Sequence, residues 1–130
     1  MMPFIKAYVA AALCLLALDA IWLTTMASRL YQPALGQLLA PTVSIVPAIL
    51  FYVLYLIGVT CLAALPAHSW RNALGKGTLL GLVAYGTYDF TNQATLKDWP
   101  TLITACDLAW GTFLTASATL AGYAAAGRNR

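Results

Sequence analysis

Residues 43–65 read VSIVPAILFYVLYLIGVTCLAAL, a run of 23 residues without one charged side chain. At 1.5 Å of rise per residue such a helix is about 35 Å long, and the hydrocarbon core of a bilayer is about 30 Å thick. The run reads as a membrane-spanning helix, and the rest of the chain can be read outward from it. Three other stretches are of similar length and character, at about residues 4–26, 73–94 and 99–126. Together the four use most of the 130 residues and leave no room for a separate soluble domain. The expectation is a single all-α membrane domain. Composition agrees: 62% of the residues are hydrophobic and 8% are charged, against roughly a quarter charged in ordinary globular chains. Seven Lys and Arg and four Asp, with no Glu, cannot clothe a soluble domain. A cytosolic enzyme, a disordered chain, a nucleic-acid binder and a disulfide scaffold are all excluded.

Short links between long helices make antiparallel neighbours, so the spans form a four-helix transmembrane bundle in up-down-up-down order. Both termini and the link holding Pro66, His68, Trp70 and Arg71 then share one side. That side carries Lys6, Arg71, Lys76, Arg128 and Arg130; the other carries Arg29 and Lys97. The excess of positive charge predicts both termini in the cytoplasm, and a multi-pass protein of the bacterial inner membrane. Trp70 and Trp99 fall where an aromatic belt would lie. Asp19 and Trp22 fit a cleaved signal peptide badly, so the first run reads as a retained span. In the link 27–42, Leu30, Tyr31, Ala34, Leu35, Leu38 and Leu39 recur at helical spacing. A surface amphipathic helix and an irregular loop broken by Pro33, Gly36 and Pro41 are both open readings.

An ionised carboxyl at the centre of a span costs about 2.5–3.5 kcal/mol on insertion scales. Yet three of the four Asp, namely Asp19, Asp89 and Asp107, lie inside spans. Counting rise per residue puts each about 10–12 Å below the outer ends of its helix, in one layer. Asp98 lies in the third link, where it is expected to help cap the last helix beside Pro100. The Asp89 face also carries Thr78, Leu82, Tyr85, Gly86, Asn92 and Gln93, with Tyr88 on its flank. A D-x-x-W pattern occurs twice, as Asp19–Trp22 and Asp107–Trp110, on helices of opposite direction. It sets an indole beside each carboxyl. Tyr52 and Tyr55 fall near the same depth. Lipid cannot satisfy this stripe, so it faces the bundle interior. Gly111, Ala118 and Gly122 on the last helix permit the close packing this needs. Three carboxyls so near each other cannot all ionise cheaply, and a proton, an organic cation or a metal ion would relieve them. The layer has no His and no metal-ligand motif, so no metal is expected.

Other residues are plain. Cys14, Cys61 and Cys106 lie in spans and form no C-x-x-C; they read as small apolar packers. His68 is alone in a link. No nucleophile elbow, P-loop or dinucleotide fingerprint is present, no cofactor is implied, and the basic residues are too scattered for nucleic acid.

The segments LDAIWL (18–23), YDFTNQATLKDWP (88–100) and DLAWG (107–111) resemble a family of small four-helix bacterial membrane proteins of unknown function. The likeness spans nearly the whole chain and matches Y-D-x-T-N-x-A-T-L-x-x-W-P without departure. The resemblance implies Asp19, Trp22, Tyr88, Asp89, Asn92, Thr95, Trp99, Pro100, Asp107, Trp110 and Gly111 as signature positions. It brings no reaction with it, and it points toward lipid through an association with fatty-acid modification.

Three functions fit these residues. The first is a protein that binds or translocates a small cationic or polar solute, with proton exchange. Its pocket in the outer half of the bilayer would be built from Asp19, Trp22, Tyr85, Tyr88, Asp89, Asn92, Asp107 and Trp110, with the indoles as cation-attracting walls. The second is an enzyme or accessory factor acting on a membrane lipid, with an Asp beside a Tyr as general acid or base. The third is an assembly protein with no ligand. Membrane lipids are partners in each, and with only four spans a homodimer is expected.

Overall fold

The structure is a computed structural model that describes residues 1–127; Arg128 and Arg130, counted above among the cytoplasmic charges, lie outside the described residues. Four long helical rods account for almost all of it. The first is α1 (Met2–Met26), which runs on through a π-helical turn (Ala27–Tyr31) into the short α2 (Gln32–Leu35). The second is α3 (Ile45–Gly58), continued by a π-helical stretch (Val59–Ala64). The third and fourth are α4 (Trp70–Thr95) and α5 (Thr101–Ala125). There is no strand among the described residues, and the chain is the all-helical bundle that its apolar runs imply.

Local chemistry sets the ends. The Ser69 hydroxyl accepts the Asn72 N–H at 3.1 Å and caps α4. At the far end of α4 the chain becomes extended at Leu96, and Asp98 takes φ +63°, a left-handed conformation that Asp tolerates better than most residues. Pro100, with no N–H to leave unpaired, precedes the first turn of α5. Asp98 does not cap α5: Pro100 occupies the cap position, with no side-chain bond, and the Asp98 side chain is exposed. Gln93 Nε2 instead donates to Thr101 Oγ1 at 2.9 Å and ties the two helices across their turn.

The central helix is α5, which packs along both α4 and α1. On the α4 side the contact is built on Gly77 and Gly81, a G-x-x-x-G pair. A Cβ on Gly77 would lie 2.6 Å from Thr119 Oγ1 and 2.9 Å from the Ala116 backbone; one on Gly81 would lie 2.7 Å from the Gly111 carbonyl oxygen. On the α1 side a Cβ on Gly122 would lie 3.1 Å from the Ala7 carbonyl. Small residues let these backbones meet, which is how helices associate where no hydrophobic effect separates one apolar surface from another. The third rod joins this core mainly through its π-helical half. Val59, Thr60, Ala63 and Ala64 are buried there, whereas Leu56 is the one buried residue of Ile45–Gly58. The loop-end half of α3 therefore leans away from the bundle.

The first half of the link after α1, residues 27–35, is helical and tucked inward. Leu30 and Leu35 are buried against Ile103, with Trp22, Met26 and Trp99 around them. From Gly36 onward the link is irregular and exposed, Leu38 and Leu39 included, so each half meets one of the two expectations in part: a helix, but packed inward, then a loop.

The bundle is inverted relative to a soluble protein. Asp89, Thr60, Thr115 and Thr119 are buried, while Leu13, Ile21, Leu50, Leu54, Leu79, Phe90 and Phe113 point outward. So large an apolar exterior is stable against lipid and not against water. Two helices, Met2–Leu35 and Ile45–Ala64, are long and apolar enough to cross a membrane.

Candidate functional site

The three intrahelical carboxyls lie in the half of the bundle nearest the α1–α3 and α4–α5 links. All are buried: Asp19 is 9% exposed, Asp107 8% and Asp89 0%. They divide into two groups. The Tyr52 hydroxyl donates to Asp19 Oδ2, and Trp110 Nε1 donates to Asp19 Oδ1 at 3.3 Å. Each oxygen of Asp19 thus has its own donor. Asp107 and Asp89 form the second group, near enough for each carboxyl to feel the other's charge. Tyr31 Oη donates to Asp107 Oδ1 at 2.5 Å, and Trp22 Nε1 donates to Tyr31 Oη at 2.9 Å. Neither oxygen of Asp89 receives a hydrogen bond from another residue.

The two D-x-x-W patterns explain how these groups are joined. Three residues apart on a helix is the same face, so each Trp shares its Asp's side. Helical side chains lean toward the N-terminus of their own helix. Because α1 and α5 are antiparallel, Trp22 leans toward the termini and Trp110 toward the links, and the two indoles meet between the helices. Their rings stack with centroids 4.5 Å apart and planes 7° from parallel. Each indole consequently serves the carboxyl of the opposite helix: Trp110 binds Asp19 directly, and Trp22 reaches Asp107 through Tyr31. The spacing alone suggests an indole beside its own carboxyl; the antiparallel packing crosses the pairs.

Tyr85 lies flat across α5 because position 111 is glycine; a Cβ there would fall 2.1 Å from the Tyr85 ring. Its ring meets Tyr55 edge-on at 6.2 Å, and the Tyr55 hydroxyl shares a 2.5 Å hydrogen bond with Thr115 Oγ1. Tyr88 is apart from the carboxyl network. It is 57% exposed at the bundle surface, with its ring edge-on to Trp99 at 6.0 Å. Asn92 is half-buried one turn beyond Asp89. Of the eight residues expected to build the site, Asp19, Trp22, Asp89, Asp107 and Trp110 are brought together, Tyr85 adjoins them, and Tyr88 and Asn92 sit at the edge.

Three tyrosines matter that the sequence left outside the site. Tyr52 and Tyr55 already stood out by their depth and spacing. Tyr31 carried no signal of its own, because it sits in a stretch whose Pro and Gly obscure a helical pattern.

Where α3 leans away from α4, a cleft of about 340 Å³ opens, lined by Phe51, Tyr55, Ala84, Tyr85 and Tyr88. A neighbouring hollow of about 410 Å³ runs on along Leu54, Ile57, Gly58, Cys61, Leu62 and Leu80. Phe51 and Tyr88 are exposed at the mouth of the cleft. Among the described residues no three His, Cys, Asp or Glu side chains are grouped to hold a metal ion, and Cys14, Cys61 and Cys106 are free thiols.

No curated protein and no solved structure matches this chain. A buried acidic layer inside an apolar exterior is the arrangement of a membrane protein, and residues 4–124 match the family described as predicted membrane protein (DUF2177). The chain belongs to that family, whose function is unknown.

Proposed function

We propose that this protein is a four-span protein of the bacterial inner membrane that takes the apolar chain of a membrane lipid sideways between α3 and α4. The observation that carries this reading is the cleft at Phe51, Tyr55, Ala84, Tyr85 and Tyr88. Its walls are aromatic and aliphatic, and it lies between two helices whose outer faces are apolar. An acyl chain fits such a slot; a small hydrated solute gains nothing from it. The carboxyls that a cationic solute would need are buried within the bundle, behind the tyrosines. Those tyrosines give the lipid reading its chemistry. Tyr55 lines the cleft, and Tyr52, three residues away, holds Asp19. An oxygenated position on the chain would meet the tyrosines that line the cleft, Tyr55, Tyr85 and Tyr88, with the Tyr52–Asp19 pair behind them.

The test uses a phospholipid with a photoactivatable acyl chain, added to the protein in liposomes. Label is expected on Phe51, Tyr55 or Tyr88. Ala84→Trp fills the cleft and is expected to lower labelling there at least several-fold while the protein remains folded. Equal labelling of wild type and Ala84→Trp would sink the reading. A deletion strain with an unchanged lipid profile would leave binding without an associated lipid conversion.

A further inference from the structure

The lipid reading makes no use of the carboxyl of Asp89, the one carboxyl of the acidic layer with no hydrogen-bond partner. It is fully buried, and no donor reaches either oxygen. A carboxylate there would be an ion out of water with no compensating hydrogen bond, which is strongly unfavourable. The group it faces is the Asp107 carboxyl on α5. Two neighbouring ionised carboxylates repel, but one proton between them turns repulsion into a charge-assisted hydrogen bond.

The surrounding donors say which member holds that proton. Tyr31 Oη accepts the Trp22 indole N–H at 2.9 Å, so its own proton is directed at Asp107, 2.5 Å away. Asp107 therefore has a donor from outside the pair and is the member suited to ionisation. Asp89 has none, and it satisfies one oxygen only by being the acid. We propose that Asp89 and Asp107 form a proton-binding pair, in which Asp89 carries the proton and donates it to an ionised Asp107. Tyr31 on the π-helical turn brings a hydroxyl and no counter-charge, and Tyr88 on α4 lies at the bundle surface with its ring against Trp99. The ligand of this site is a single proton, and its occupancy is independent of what fills the cleft at α3 and α4.

Infrared spectroscopy of the full chain in liposomes at neutral pH tests this. Wild type is expected to show the C=O stretch of a protonated carboxylic acid, shifted to lower frequency in heavy water. Asp89→Asn should lose the band and remain folded, since its amide keeps the shape of the acid and can still donate to Asp107. In Asp107→Asn the band should persist but move, because its acceptor has changed from a carboxylate to an amide. Asp19→Asn should leave it untouched, since Asp19 has two donors of its own. No acid band in wild type would overturn the proposal, as would a band that survives in Asp89→Asn. If Asp89→Asn does not fold, displacement in Asp107→Asn with constancy in Asp19→Asn assigns the band to the pair, and the reverse pattern refutes it.

Discussion

A hydroxyl that accepts one hydrogen bond and donates another has its direction fixed, and Tyr31 is such a group. It hands the orientation set by the Trp22 indole on to Asp107. Tyr31→Phe keeps the ring among Leu30, Leu35 and Ile103 and removes the bond to the carboxyl. A hydrogen bond to a charged group contributes about 1.5–3 kcal/mol, so the variant is expected to unfold at a lower denaturant concentration in mixed micelles by that order. Tyr88→Phe, at the surface, is expected to change stability by less than about 0.5 kcal/mol. At this scale the sequence was legible wherever chemistry clashed with its surroundings. Asp19, Asp89 and Asp107 stand out because a charge in an apolar run has no bland explanation. Tyr31 does not stand out, since an aromatic in a link is ordinary; its role exists only once the link folds back over α5.

Among elements, the decisive interface is α4 on α5, where glycine is the contact surface. Gly77→Ala or Gly81→Ala drives a methyl into the backbone of α5, and Gly111→Ala drives one into the Tyr85 ring. Overpacking of this kind costs about 1–3 kcal/mol, which thermal unfolding in detergent should show. Gly75→Ala is the control. It lies in the first turns of the same helix with nothing within 4 Å of the added carbon, and is expected to be neutral or to stabilise by up to about 1 kcal/mol through helix propensity. The apolar runs foretold the helices and their order, because length and hydrophobicity are written residue by residue. Which helix would be central was harder to read. Pairing in an apolar medium rests on small residues and shape, and nothing in the G-x-x-x-G of α4 names the helix it packs against. The lean of α3, which makes the cleft, leaves no mark in its uniformly apolar sequence.

For the whole molecule, four antiparallel rods bring both ends of the described chain to one end of the bundle, together with Lys6, Arg71 and Lys76. By the positive-inside rule that end is expected in the cytoplasm. A green fluorescent protein fused to the C-terminus is expected to fluoresce, and alkaline phosphatase fused there to be inactive. A cysteine at Lys97→Cys should react from the outside with a thiol reagent that cannot cross the membrane. Active phosphatase at the C-terminus would reverse the orientation.

The crossing of the indole pairs has a consequence for how the protein is made. The Asp19–Trp110 bond joins positions 91 residues apart. At about 5–20 residues per second, α1 enters the membrane roughly 5–20 s before the ribosome supplies the indole that its carboxyl needs. Tyr52 arrives sooner, 33 residues after Asp19, and gives that carboxyl an interim partner. The helix translated after the other three rods is also the one they dock on. A chain that stops short of α5 leaves Asp19 with Tyr52 as its one donor and without the Trp110 indole, so the acidic layer is complete only when α5 has docked.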